Sequence, residues 1–131
     1  MPQYMLLIYQ PTDGPAFSPE QLQEVGARFD AYTQGLRDAG VFVAGDALER
    51  PDVATTVRER EGQTQFTDGP FAETKEFLAG YYLIDCRDLD TALEHASHMP
   101  NVGYGSTEVR PVWDRTGPQA TSREQIARAS A

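Results

Sequence analysis

The sequence predicts a single α+β domain in which two amphipathic helices pack on an antiparallel sheet. Apolar runs rich in aromatic and β-branched residues, typical of strands, alternate with two stretches whose apolar residues recur every three or four positions, as in helices. The chain has 131 residues, of which 40% are hydrophobic and 24% charged. A chain of this length and composition can build one hydrophobic core but not two.

The first strand and the first helix are the clearest elements. Residues 3–10 form an apolar run suited to a buried strand. The helix is predicted to begin after Ser18, because Pro19 fits the first helical position and Gln21 has the spacing of a capping box. Gly40 is the expected stop. The stripe predicted to face the core consists of Leu22, Val25, Phe29, Tyr32, Leu36 and Ala39.

Four further strands are predicted in the middle of the chain. Residues 41–46 form the second strand, and residues 55–59 and 63–67 flank Glu61-Gly62, which indicates a hairpin. Residues 78–85 include an apolar run continuous enough for a central strand.

A second helix and a last strand complete the domain. Asp88 is predicted to cap the helix and Pro100 to end it. Residues 106–113 alternate as a final strand, and Pro111 indicates a sheet edge or strand end. The predicted inward face of this helix consists of Leu89, Ala92, Leu93, Ala96 and Met99.

This order of elements predicts a ferredoxin-like antiparallel sheet with two helices on one face and an inserted hairpin. The other sheet face then has no helix to cover it. Five aromatic residues available for the sheet would leave an apolar patch, so we expect a homodimer. They are Tyr4, Tyr9, Phe42, Tyr82 and Trp113.

Composition excludes several classes of function. The formal net charge is −9, which disfavours direct contact with nucleic acid or an anionic membrane. No membrane span or signal peptide is readable, so the expected location is cytoplasmic. The single cysteine, Cys86, cannot form an intramolecular disulfide. We predict a domain over residues 1–114, a flexible tail over residues 115–131 with little apolar surface, and no cofactor.

The strongest polar set lies around a connection that is longer than a hairpin needs. Asp68, Glu73 and Lys75 belong to the 68–76 loop, and Asp46 follows the second strand. A carboxylate in a partly enclosed cleft can act as a general acid or base, while a lysine holds an anion. Equally, Asp68 can serve only its own turn, and Glu73 and Lys75 can be solvated loop charges.

Other candidates also have two interpretations. Tyr82 is a core aromatic or a ligand donor at the mouth of a cleft, and Arg110 clamps a carboxylate or pairs with a neighbouring acid. His95 and His98 lie three residues apart on one helix, a spacing compatible with a metal. With no third strong ligand, however, we favour a structural role for both and predict no metal site. Cys86 is not expected to be catalytic.

The DGPF run at residues 68–71, followed by Glu73, Thr74 and Lys75 and by Gly80-Tyr81-Tyr82, resembles the DGPF-domain branch of the YCII-related family. The resemblance covers about the first 114 residues and implies a dimeric α/β barrel in which two sheets face each other. Family members with assigned chemistry use a histidine on the first helix with an aspartate. Residues 19–39 of this chain contain no histidine, which leaves Asp46 as the remaining acid.

Two functions follow as hypotheses. The first is a small-molecule-binding or regulatory homodimer whose cleft, lined by the 68–76 loop, holds a small polar or anionic ligand. The resemblance also implies a functional link to a sigma factor. The alternative is a cofactor-independent lyase or hydrolase of the YCII type, with Asp46 as the acid or base and Lys75 or Arg110 as an anion clamp.

Overall fold

The computed structural model describes residues 1–14, 16–70 and 75–115. Within these ranges the chain forms β1 (Gln3–Pro11), α1 (Pro19–Asp38), β2 (Phe42–Ala47), β3 (Thr55–Arg60), β4 (Gln63–Asp68), β5 (Glu76–Asp85), α2 (Leu89–Ser97) and β6 (Ser106–Pro111). Short 3-10 helices span Pro51–Val53 and Pro100–Gly103. Glu73 and residues 116–131 of the predicted tail lie outside the described residues.

The main sheet has the strand order β2-β5-β1-β6, and every neighbouring pair is antiparallel. This is an α+β architecture consistent with the ferredoxin-like arrangement. The long strands β1 and β5 are central, as the continuous apolar run of β5 indicates, and β6 with Pro111 lies at an edge. Strands β3 and β4 pair with each other in a separate two-stranded sheet.

One face of the main sheet forms the core. Alternate residues of β1, namely Tyr4, Leu6 and Ile8, are buried, and Tyr82 and Ile84 of β5 join them. The two helices contribute to the same cluster and therefore cover the same face. Their buried residues are Leu36 of α1 and Ala92 and Ala96 of α2. No helix of the described chain is long and apolar enough to cross a membrane.

Both helices begin where their caps predict. The Ser18 side chain accepts from the Gln21 amide while the Gln21 side chain accepts from the Ser18 amide, a complete capping box. At the start of α2, Oδ1 of Asp88 accepts a hydrogen bond from the Thr91 amide at 2.9 Å. Gly40 follows α1 with φ of +73°, as expected of a helix stop.

Four residues that the helical pattern predicted to face the core are exposed in the structure. Leu22 and Ala39 lie near the ends of α1 and are exposed, and Leu89 and Leu93 of α2 are 44% and 46% exposed. The short α2 packs through its small residues instead, so each leucine, three positions before a buried alanine, lies on the flank.

A hydrogen bond between the helices fixes their spacing. The Tyr32 hydroxyl of α1 donates to the carbonyl of His95 in α2 at 2.6 Å. Burial raises the pKa of Tyr32, which keeps the phenol protonated as a donor. The ring also meets Tyr82 edge-to-face, with centroids 5.5 Å apart. Tyr32 therefore joins both helices to the sheet.

The opposite sheet face differs from the expected aromatic patch. Tyr4 and Tyr82 are buried on the helix side, and Phe42 packs edge-on against Tyr82. Because side chains alternate along a strand, the helix-free face carries the other register positions. These are half-buried Met5, Leu7 and Tyr9 of β1 with Leu83 of β5, beside Arg110 and Glu108 of β6.

Gly69 ends β4 in a backbone conformation that favours glycine. Its φ is +91°, its amide donates to the carbonyl of Ala54 at 2.7 Å, and its carbonyl accepts from the Thr56 hydroxyl at 2.8 Å. Glycine adopts such a φ without the steric cost that a Cβ would bring. Two hydrogen bonds thus hold the turn against the start of β3.

We expect Tyr32→Phe to lower the free energy of unfolding by about 1 kcal/mol or more, because the His95 carbonyl loses its donor in a half-buried site. Tyr9→Phe is the control, since its hydroxyl makes only a long, exposed contact of 3.4 Å with Glu108. Urea denaturation measures both variants. Equal losses for the two would contradict a structural role for the Tyr32 hydroxyl.

We expect Gly69→Ala to destabilise the protein by roughly 1 kcal/mol or more through backbone strain. Gly103→Ala should change stability by less than about half a kcal/mol, because its φ is not in the left-handed region and an added Cβ meets no atom within 4 Å. Thermal denaturation of both variants checks this. A Gly69→Ala protein as stable as wild type would show that the turn relaxes at no cost.

Candidate functional site

A cavity of about 600 Å³ lies between α1 and strands β1, β2 and β5. Its walls are mainly apolar. From the helix come Leu22, Val25 and Phe29, and from the sheet side Ile8, Phe42, Leu48 and Phe77. A largely apolar cleft of this volume with a few polar groups is typical of small-molecule sites.

Polar side chains are spread along the cavity rather than gathered at one point. The helix contributes Asp30, Thr33 and Arg37, and the sheet side contributes Gln10, Asp46, Arg50, Tyr81 and Tyr82. Both signs of charge are therefore present. The three helix residues follow one another at spacings of three and four, so they form a polar stripe on the face of α1 that looks into the cavity.

The close approach of β2 and β5 shapes the floor of the cavity. A methyl group added at Gly45 of β2 would lie 2.6 Å from Cδ1 of Tyr82 and 3.0 Å from the carbonyl oxygen of Tyr81. Both distances are shorter than a carbon atom tolerates. The glycine therefore lets the Tyr82 ring lie directly on the neighbouring strand, below α1.

The Tyr82 hydroxyl is tied to the helix. Its oxygen lies 2.7 Å from Oγ1 of Thr33, and the Thr33 hydroxyl itself donates to the Phe29 carbonyl at 2.8 Å. Because a hydroxyl has one hydrogen, Tyr82 must donate to Thr33. Burial raises the pKa of Tyr82 although the bond with Thr33 opposes the shift, and the Asp30 carboxylate raises it further. Tyr82 is thus a neutral phenol whose oxygen can still accept a hydrogen bond.

Arg37 lies on an aromatic surface at one end of the cavity. Its guanidinium carbon is 4.2 Å from the centroid of the Phe42 ring, a cation–π distance. Phe42 in turn meets Tyr82 edge-to-face, with centroids 6.3 Å apart. This contact holds the guanidinium at that end of the cavity.

Asp46 and Tyr81 face each other across β2 and β5 and both line the cavity. The Tyr81 hydroxyl donates to Oδ2 of Asp46 over 3.4 Å, a long hydrogen bond between exposed groups. Tyr81 alternates with the buried Tyr82 and pairs with Leu7 of β1, so its side chain and that of Asp46 lie on the sheet face away from α1. Asp46 is therefore an accessible carboxylate on a strand that borders the cavity, with one weak partner.

The structure brings together two of the residues predicted from the sequence, Asp46 and Tyr82. The described lining of the cavity does not include Asp68, Lys75 or Arg110. Asp68 is an exposed residue at the end of β4, and Lys75 is exposed while its carbonyl accepts from the Thr12 amide at 2.8 Å. Glu73 and the rest of the 71–74 segment lie outside the described residues.

Arg110 pairs with a neighbouring acid, which was the second of its two predicted roles. It lies on the edge strand β6, where its Nε is 3.8 Å from Oε2 of Glu108. Both side chains are largely exposed, so this pairing contributes little to stability. It nevertheless neutralises the guanidinium locally.

The histidines and the cysteine lie away from the cavity. His98 contacts Glu94 at 3.0 Å on the exposed side of α2, and within the described ranges no group of three acidic, histidine or cysteine side chains could hold a metal. Cys86 is buried at the end of β5, and burial raises the pKa of its thiol, which disfavours the reactive thiolate.

Sequence reasoning missed Asp30, Thr33, Arg37 and Arg50 as cavity residues. A signal for three of them exists, because Asp30, Thr33 and Arg37 adjoin the apolar stripe of α1 in the sequence. The helical period alone does not decide which flank of the stripe faces the sheet, so this signal could not be read without the fold.

Comparisons with known proteins agree with this architecture. The family model described as the YCII-related domain matches residues 2–116. An uncharacterized protein of Rhizobium meliloti (strain 1021) is 41% identical over 99 residues, which cover 74% of this chain and 80% of that relative. The family-model match spans all the described strands and helices. The chain therefore belongs to the family of YCII-related domains.

Proposed function

We propose that this protein binds a small organic molecule in the cavity between α1 and the sheet. One observation carries the proposal: a cleft of about 600 Å³ whose walls are apolar and whose polar groups lie at separate points along it. Apolar walls supply binding free energy through burial, and scattered polar groups fix orientation. The described residues that line it come mainly from the helix and the sheet.

Binding without turnover is the better supported function. General acid–base catalysis needs a group of suitable pKa within reach of the substrate, usually with a partner that orients it. Among the described residues that line the cavity there is no histidine. The Tyr82 hydroxyl already donates a hydrogen bond to Thr33. The polar groups present suit recognition more than proton transfer.

A cofactor-independent lyase or hydrolase remains the second candidate, because Asp46 is an accessible carboxylate on a strand that borders the cavity, with the Tyr81 hydroxyl 3.4 Å away. A ligand could displace this weak contact and meet the carboxylate directly. Asp46→Asn separates the two functions: it should leave ligand affinity within about threefold for a binding protein, whereas it removes turnover from an enzyme that uses Asp46 as its base.

We also propose that two subunits pair through the helix-free sheet face. Met5, Leu7 and Leu83 form an apolar strip there, between the polar edge strand β6 and Asp46 of β2. An apolar strip with a polar rim is typical of a protein interface. Such pairing agrees with the dimeric barrel that the family resemblance implies.

Gly26→Leu should abolish ligand binding, because Gly26 lines the cavity and a side chain there grows into open space. Gly35→Leu is the matched control, since Gly35 is also a glycine of α1 with no atom near an added Cβ but does not line the cavity. Both changes should stabilise the helix by up to about 1 kcal/mol.

The measurement is a thermal-shift screen of a metabolite library that includes anionic, cationic and neutral compounds. A ligand present at 100 times its Kd adds about 2.7 kcal/mol of stability, which is a shift of several degrees. Compounds that shift the wild type should also shift Gly35→Leu but not Gly26→Leu. Compounds that still raise the melting temperature of Gly26→Leu would bind elsewhere on the protein. A library in which no compound shifts the wild type would count against the proposed function.

The subunit pairing predicts a mass of two chains by light scattering at micromolar concentration, and a monomer for Leu7→Lys, since a buried lysine at an apolar interface is costly. Val57→Lys is the control, because Val57 is 58% exposed on β3, outside the main sheet. A monomeric wild type, or a dimeric Leu7→Lys protein, would rule out this interface.

A further inference from the structure

Arg37 is held in place by aromatic rings, which leaves its donors free. The guanidinium carbon lies 4.2 Å from the centroid of the Phe42 ring, and that ring is held edge-on against Tyr82. A cation–π contact does not use all five N–H donors, so the planar guanidinium keeps donors for a ligand. A planar fork of this kind matches the two oxygens of a carboxylate.

The charge of Arg37 is not neutralised by the described part of the protein. No residue in that part forms an ion pair with it, whereas Arg28 on the same helix pairs with Glu24 at 3.3 Å and Arg87 pairs with Asp88 at 3.2 Å. The whole chain carries a net charge of −9, so carboxylates are abundant. An unpaired arginine that lines a cavity in such a protein is well placed to bind an external anion.

The cavity continues from Arg37 along an increasingly apolar path. Going back along α1 in steps of four, Thr33 is followed by Phe29 and Val25, all of which line the cavity. An anion held at Arg37 would therefore direct an apolar body along the helix, over the Tyr82 ring.

A second negative charge on the ligand is disfavoured by the same walls. Asp30 lies seven residues before Arg37 on the cavity face of α1, which is roughly 10 Å along the helix axis. A dianion bound at Arg37 would bring its second carboxylate towards Asp30, and like charges in a partly enclosed site repel.

We propose that Arg37 anchors the ligand of this cavity and that the ligand is a monocarboxylate with an apolar body, for which a phenyl group serves as the probe. The carboxylate accepts two hydrogen bonds from the Arg37 fork, and the body packs against Phe29 and Val25. This inference rests on the proposed binding function and names its ligand class.

Calorimetric titration with four probes tests the ligand class: phenylacetate, its neutral isostere phenylacetamide, acetate, and the dianion phenylmalonate. Wild-type protein should bind phenylacetate at least about tenfold more tightly than each of the other three, since the amide lacks the charge, acetate lacks the apolar body and the dianion meets Asp30. Phenylmalonate binding as tight as phenylacetate would overturn the preference for one charge.

Arg37→Gln tests the anchor. It should weaken phenylacetate binding at least about tenfold and leave phenylacetamide binding within about twofold of wild type. The variant should then bind the acid and the amide with about the same affinity. Arg28→Gln is the matched control on the same helix and should keep the wild-type preference for the acid. Arg37→Lys, which keeps the charge but loses the planar fork, should fall between wild type and Arg37→Gln.

The outcomes separate this inference from the proposed function. If Arg37→Gln still preferred the acid as wild type does, Arg37 would not be the anchor. The cavity would still be the binding site if Gly26→Leu abolished binding of the same ligands. If wild type bound none of the four probes while other library compounds bound in the cavity, the ligand class alone would be wrong. If Arg37→Gln bound neither acid nor amide, its melting curve would show a folding loss, and Arg37→Lys would decide the anchor instead.

Discussion

The cavity depends on the position of one ring, that of Tyr82. The ring lies on Gly45 of the neighbouring strand, and its edge-to-face contacts with Tyr32 and Phe42 hold it from two sides. Its hydroxyl then reaches Thr33 of α1. Because the ring stands between helix and sheet, α1 cannot approach the sheet more closely at this point. Space along α1 on both sides of Thr33 is consequently left open as the cavity.

The hydrogen bonds around the same ring support the proposal that the site binds a ligand without transferring protons. Tyr82 donates to Thr33, Thr33 donates to the Phe29 carbonyl, and Tyr32 donates to the His95 carbonyl, so these three hydroxyl protons are used within the protein. Networks in which each donor has a partner make a site rigid. What they leave for a ligand is the Tyr82 oxygen as an acceptor and the arginine side chains as donors.

Local signals predicted most of the fold, whereas the site needed three-dimensional information. Ser18, Asp88 and Gly40 fixed the helix ends, because capping depends only on residues a few positions apart. Asp46 and Tyr82 could be nominated since polar groups at strand positions near a loop are unusual. Arg37 and Thr33 could not, because their role depends on how far α1 is rotated about its axis, and packing of Leu36 against the core sets that rotation.

One apolar residue that the helical pattern placed in the core but the structure exposes lies at the cavity itself. Leu22 is 56% exposed and lines the cavity together with Leu48, which is 46% exposed. An apolar side chain that the fold leaves in water at a concave site has the most free energy to gain from a bound apolar group. If a ligand fills the cavity as proposed, the helical period of Leu22 marks a face that is buried by the ligand rather than by the core.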